Sequence, residues 1–295
     1  YDYSRTATIN YYNDNGGISG FDSAEKYADA QMTKRGLTRT NGEDWRDYIY
    51  KHGMEQNYQL SVSGGSDKSK FYTSLGYQNI EGLARGTDFE RYSGIINSNN
   101  EVAKWLDVDM KAQLSYTKQN GYRDQSSQAQ GIGFGTPLGL LQQSNPTKPL
   151  KDKEGEYNQV LMGRGINPYY ELNGKDKFLK TENYRALGNV NFTVKFTKDL
   201  QFRSTNGVDF NNAFINEYWG PNSIDGMNVG GMGQTDDYKV LTLTSSNIFQ
   251  YTKTFNEKHN IDALAGYEAQ KYNRRYTQAA VTNYSTDKLP DLSVG

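Results

Sequence analysis

The chain has 295 residues, a formal net charge of -1 and no cysteine, so it offers no basic field for nucleic acid and no disulfide framework. Mean hydropathy is -0.87 and apolar residues make up 35% of the chain, below the roughly 45–50% of a compact domain. Disorder does not follow, because tyrosine alone occurs 24 times whereas disordered chains are poor in aromatics, and no run of about 18 apolar residues is present to make a transmembrane helix.

In chain order, the dominant signal is two-residue alternation, which gives a strand one apolar and one polar face. Residues 1–11 read as a first alternating strand. A helix is expected over residues 24–35, capped by Asp22 or Ser23 and ended by Gly36. Residues 56–63 then set Tyr58, Leu60 and Val62 against Asn57, Gln59 and Ser61, and residues 69–82 set Phe71, Thr73, Leu75 and Tyr77 against Tyr72, Ser74, Gly76 and Gln78. A less regular strand covers residues 89–98. The clearest one covers 104–118, with Leu106, Val108, Met110, Ala112, Leu114 and Tyr116 on one side and Asp107, Asp109, Lys111, Gln113 and Ser115 on the other. Residues 186–196, 200–210, 238–252 and 259–271 continue the series, for about nine strands in all.

The links between strands alternate as well. Short turns at 64–68, 99–103, 197–199 and 253–258 are interleaved with long links at 13–55, 81–88, 120–182 and 211–237. That is the layout of a transmembrane barrel, with short turns on the periplasmic side and longer loops outside. Tyr1, Tyr3, Tyr58, Tyr77, Tyr92, Trp105, Tyr116, Tyr251 and Tyr267 fall near the ends of the expected strands, where an apolar ring with a polar tip suits a membrane interface. The fully polar opposite face argues for a wide, wet or plugged lumen, because a small barrel fills its interior with apolar side chains. The expected fold is therefore all-β: an antiparallel transmembrane barrel segment of about nine strands with long extracellular loops and one short loop helix. On composition and period alone, a soluble all-β protein with tyrosine-rich surfaces is the alternative.

Residues suited to bond chemistry are scarce. The only histidines are His52 and His259, and with no cysteine the ligands for a zinc site are lacking. Asn13-Asp14-Asn15-Gly16 and Asp152-Lys153-Glu154-Gly155 read as turns, since neither has the ligand spacing of a calcium loop. The glycine-rich stretches 131–135 and 226–233 carry no phosphate-binding lysine. No catalytic residue, metal or cofactor is expected. For substrate binding, the cluster Tyr218-Trp219-Gly220-Pro221-Asn222 stands out: Tyr218 or Trp219 can stack on a sugar ring while Asn222 binds its hydroxyls. A loop-packing anchor is the competing role for the same residues.

Several segments go beyond pattern. Residues 43–53 (EDWRDYIYKHG) and 56–66 (QNYQLSVSGGS) closely resemble consecutive stretches of the SusC/RagA transporters, as do 71–77 (FYTSLGY) with Glu81-Gly82-Leu83, 88–94 (DFERYSG) and 260–268 (NIDALAGYE). Residues 21–27 (FDSAEKY) are similar to the family's upstream helix. The resemblance runs in the family's order and is strongest over residues 43–118 and 247–292. It implies a 22-stranded outer-membrane barrel closed by a plug domain, coupled to TonB and covered by a SusD-like surface lipoprotein. Residues 1–295 are then expected to be part of the barrel domain, with the plug and the final strands lying outside the chain. The implied function is import of oligosaccharides or peptides. The implied partners are outer-membrane lipid, the lipoprotein (against residues 120–182, with Tyr157, Tyr169 and Tyr170) and the TonB complex through the missing N-terminal part. A porin-like or adhesin barrel is the runner-up, followed by a soluble glycan-binding protein.

Overall fold

The structure, a computed structural model, describes residues 1–35, 37, 44–122, 136, 139–141, 150–152, 154–158 and 167–295. Eight strands form one sheet in which every strand lies beside its sequence neighbours, β1 through β8 in order. They are β1 Glu55–Gly65, β2 Ser69–Glu81, β3 Asp88–Ala103, β4 Leu106–Gly121, β5 Lys177–Lys195, β6 Leu200–Trp219, β7 Met232–Phe255 and β8 His259–Thr282, and all pairs are antiparallel. Among the described residues, short helices outside the sheet include α1 Asp2–Asp14, α2 Ala24–Lys34, α3 Trp45–Ile49 and α4 Pro168–Leu172. The all-β class holds, with α3 and α4 packed together at the long-link end.

The first expected strand is α1 instead. Residues 1–11 satisfy both periods, since Ser4, Arg5, Thr8 and Tyr12 also recur at helical spacing. That second stripe has a partner. Arg5 Nε lies 2.7 Å from Asp29 Oδ1 on α2, and the Tyr12 and Tyr27 rings sit 5.6 Å apart. A strand there would leave its backbone groups unpaired, whereas a helix satisfies them internally. The α2 helix forms where expected, with the Lys26 N–H donating to Ser23 Oγ. Gly36 lies outside the described residues.

The register makes the two faces continuous across the sheet. Leu60, Leu75, Gly94, Leu114, Ala186 and Phe210 lie opposite one another in turn, as do Val62, Thr73, Ile96, Ala112, Gly188 and Val208. This is the apolar, outer face. On the other face, Ser63, Tyr72, Asn97, Lys111, Asn189, Gly207 and Thr244 form an equally continuous polar row. Five tyrosines, Tyr58, Tyr77, Tyr92, Tyr116 and Tyr184, form a row of their own on the outer face, with centroid distances of 6.4, 5.0, 6.3 and 4.6 Å along it. On each strand the tyrosine is the last outer residue before a polar one: Gln56, Asn79, Glu90, Lys118 or Glu182. The hydroxyls of Tyr77 and Tyr92 both donate to Glu90, and that of Tyr116 donates to Glu182.

Toward the short turns a second aromatic group appears, with Phe202 and Phe249 at 4.7 Å, Phe249 and Phe196 at 6.3 Å, and Trp105 half exposed in its turn. On β4 the outer apolar run extends from Tyr116 to Leu106. Ten residue steps of about 3.3 Å on a strand tilted by about 40° cover about 25 Å, the height of the apolar band of an outer-membrane barrel. The outer face of β6 and β7 also carries Ser204, Asn206, Ser245 and Asn247. These satisfy one another: Asn206 donates to Ser204, Ser245 to Asn206 and Asn247 to Ser245 at 2.9–3.1 Å, which lowers the cost of facing lipid.

The strands lengthen along the sheet, from 11 residues in β1 to 24 in β7 and β8. About 9–11 residues span a membrane. The surplus on β5 to β8 therefore stands clear of the band as a wall at the long-link end. The expected loop 211–237 shrinks to residues 220–231, because β6 runs to Trp219 and β7 resumes at Met232. Beside this wall a small loop core of Trp45, Ile49, Leu140, Leu150 and Leu172 joins α3 and α4.

Candidate functional site

The wall above the band places Trp219 on the inner face and Tyr218 on the outer one, since neighbouring strand residues point to opposite sides. Tyr218 is only 1% exposed, packed between Phe178 at 5.6 Å and Tyr284 at 5.2 Å. Its ring has no free face for a sugar, and the expectation for this residue is corrected to that of a packing anchor. The physical reason is that the segment is strand, not loop. Trp219 is partly exposed, and its indole N–H donates to Glu217 Oε1 at 2.9 Å. Asn222 is partly exposed in the loop that follows.

Strand register adds residues that the sequence reading missed. Glu217 lies opposite Gln234, and Ile215 opposite Asp236, which in turn faces Gln278 on β8. Asp236 accepts hydrogen bonds from side chains of β7 and β8. The Gln234 amide reaches Oδ2 at 2.9 Å, while the Tyr276 hydroxyl and the Gln278 amide reach Oδ1 at 2.7 and 2.8 Å. Asp236 itself is 8% exposed, whereas Tyr276 is 51% exposed. Arg274 covers one face of Tyr238, its guanidinium 4.9 Å from the ring centre. The signal available in advance was parity. Gln234, Asp236 and Tyr238 share one side of β7, and only the pairing with β6 sets that side level with Trp219.

A buried ionic cluster holds the loops at the top of the wall. Lys177 Nζ lies 2.9 Å from Glu171 Oε2 and 2.6 Å from Asp225 Oδ2, and Glu171 Oε1 accepts the Ile224 N–H. Burial pushes the Glu171 carboxyl up, with the Lys177 charge opposing it. Burial would lower Lys177, but the two carboxylates outweigh it and hold the ammonium above the usual lysine range. The cluster ties α4 to the loop after β6. Asn167, fully buried, caps α4 by accepting the Tyr169 N–H and donates to the carbonyls of Leu150 and Asn158. Tyr157 and Tyr169 stack face to face at 3.6 Å within the same core.

Among the described residues no group of His, Cys, Asp and Glu is arranged to hold a metal ion. The Asp152 carboxylate is used within its own turn, accepting the N–H groups of Glu154 and Glu156. The 131–135 stretch lies outside the described residues.

No family model matches the chain. A TonB-dependent receptor of Formosa agariphila is 29% identical over 248 residues, 83% of this chain and 24% of that protein. TonB-dependent receptor SusC of Bacteroides thetaiotaomicron is 20% identical over 258 residues, 80% of this chain and 24% of that protein. The RagAB peptide importer in its open-open state superposes with a TM-score of 0.70 at 25% identity over 88% of this chain and 28% of its own. The chain is similar, over most of its length, to a stretch of SusC/RagA-type TonB-dependent receptors. It spans about a quarter of the length of the curated relatives it matches. The RagAB peptide transporter likewise matches with a TM-score of 0.70 over 100% of this chain and 32% of its own, at 23% identity, and that likeness shows the fold. The segment belongs in the outer membrane. Its tyrosine row and phenylalanine cluster bound the lipid-facing band, and its polar face lines the lumen. The proteins it resembles are receptors and transporters.

Proposed function

We propose that this chain supplies barrel wall and outer loops to an outer-membrane importer of oligosaccharides or peptides that is driven through TonB. The observation that supports this most directly is the two-faced sheet. One face carries an apolar band of about 25 Å bounded by aromatics, and the other is polar, with a wall of hydrogen-bonding residues rising beyond the band. Residues 1–295 form part of one barrel domain, and the plug belongs to the longer protein. Trp219 and Asn222 contact substrate from the top of the wall. A SusD-like lipoprotein covers the long links, including the segment that carries Tyr157, Tyr169 and Tyr170. TonB acts through the plug-bearing part. The wall binds and passes its ligand without breaking a bond, so the chain is not an enzyme and takes no cofactor.

The test is uptake of labelled oligosaccharides and peptides by cells carrying the intact gene, with and without functional TonB. Saturable uptake that disappears without TonB is the expected result. Uptake that continues unchanged without TonB identifies a passive porin and overturns the proposal.

A further inference from the structure

The outer face is not a flat apolar surface. A concavity of about 1110 Å³ opens beside the tyrosine row. Between β2 and β6 its walls are Leu75, Leu114 and Phe210, and its floor is Gly94 and Ala186. We propose that this groove holds one diacyl phospholipid with a phosphoethanolamine headgroup, its acyl chains over Gly94 and Ala186 and its phosphate at Lys118 and Lys180. The proposal rests on the outer-membrane placement of the sheet and not on the importer reading.

Gly94 keeps the groove open although the sheet does not require it. A Cβ at that position would meet only Leu75 Cδ2, at 3.6 Å, an ordinary contact. A glycine inside a strand weakens it, so folding alone gives no reason for one here. An acyl chain gains no hydrophobic free energy by leaving other lipid. In a groove, however, it meets carbon below and on both sides, and such contacts add up. The rim supplies the polarity of a headgroup. Tyr77 and Tyr92 donate to Glu90 at 3.0 and 2.8 Å, and Tyr116 donates to Glu182 at 3.1 Å. The hydroxyls are thereby drawn toward the long-link end, and the rings border the groove. Register sets Glu90, Lys118 and Glu182 opposite one another, with Asp88, Asn120 and Lys180 in the next outer row. Both lysines are exposed, and Lys180 Nζ stands 4.3 Å from the centre of the Phe178 ring. Asp88 accepts the Asn120 amide. On β3 to β5 the rim thus mixes the ammonium groups of Lys118 and Lys180 with the carboxylates of Asp88, Glu90 and Glu182. That pattern suits a headgroup of both signs. Its phosphate meets the lysines, which bind phosphate as point charges, and its ammonium meets Glu90 or Glu182. A lipid with several phosphates would bring negative charge to a rim whose own balance is negative.

The experiment uses the intact receptor, purified in mild detergent and weighed by native mass spectrometry with phosphatidylethanolamine, phosphatidylglycerol and lipid A added at equal concentration. Phosphatidylethanolamine is expected to be retained in preference to the other two. Gly94→Leu fills the floor and should lower that retention about tenfold, the loss of about ten carbon contacts with the chain. Ala186→Leu fills the floor from the other side of Leu114 and should act alike. The double variant Lys118→Gln, Lys180→Gln should weaken retention about fivefold, the size of two exposed charge contacts. Val108→Leu, outside the groove toward the short turns, should leave it unchanged. Heat-modifiable migration on gels confirms that each variant is folded. Preference for phosphatidylglycerol or lipid A overturns the proposal, and so does unchanged retention in folded Gly94→Leu and Ala186→Leu receptors. A receptor that forms pairs in place of holding lipid, and loses them in Gly94→Leu, also overturns it, because the groove is then a contact between copies.

Discussion

Lys177 shows how one residue can organise a loop. Its ammonium is 8% exposed and sits between Glu171 and Asp225. Removing one partner of a buried pair leaves an uncompensated charge, at a cost of about 3–5 kcal/mol. Lys177→Met is therefore expected to release the loop at 220–231, read as faster limited proteolysis there with the barrel intact. The pH dependence has a definite sign. The fold raises Lys177 above its ordinary value of 10.5, so its contribution is complete below that value and is lost as pH rises through the higher folded one. Glu171, raised by burial above its ordinary value of 4.5, has its own window starting there, so the alkaline step belongs to Lys177. Cleavage of the loop by an alkaline-active protease, normalised to an unstructured peptide, should accelerate only above the ordinary lysine value of 10.5 in the wild type. In Lys177→Met this alkaline step should be absent. Asn167 is the second fastener, and Asn167→Ala loses a cap and two buried bonds, an expected cost of about 1–3 kcal/mol, measured as loosened exchange protection over α4.

At the scale of the strand, alternation sets the tolerance of each position. Met110 and Lys111 are neighbours on β4 near mid-band, one on the outer face and one on the inner. Lys111 already places a charge at this depth on the lumen side. Met110→Arg puts a charge into lipid and should cost about 2–4 kcal/mol, whereas Gln113→Arg on the lumen side should be nearly neutral. Unfolding of the intact receptor in lipid by denaturant separates the two. The same alternation explains what was legible in advance. The strands over 56–63, 104–118 and 186–196 were readable because each keeps one face apolar over several rungs. Residues 1–11 were misread because a polar, tyrosine-rich segment can satisfy both periods. There the decision fell to a contact with α2, which local sequence does not contain.

At the scale of the whole molecule, the sheet has two open edges, β1 and β8, each hydrogen-bonded on one side only among the described residues. Unpaired backbone groups are untenable in hydrocarbon, so eight strands must be joined by others before they span a bilayer. Residues 1–295 refolded alone in detergent should show no heat-modifiable gel shift, whereas the intact receptor should show one. A shift from these residues alone would mean that they close a small barrel by themselves, contrary to the polar interior of the sheet.

The sequence alone determined the class, the places of the eight strands of the sheet and the membrane setting, though not the helical state of residues 1–11. These depend on period, on the spacing of turns and on aromatic placement, all of which are local. It also placed Trp219 and Asn222 near the outer end. Tertiary structure alone decided that Tyr218 and Trp219 face opposite ways, that Asp236 stands level with Gln278 across β7 and β8, and that Lys177 closes on Asp225 from 48 residues away. The reason is register. A one-residue slip in pairing moves every side chain of a strand to the other face, and register is fixed only when neighbouring strands meet.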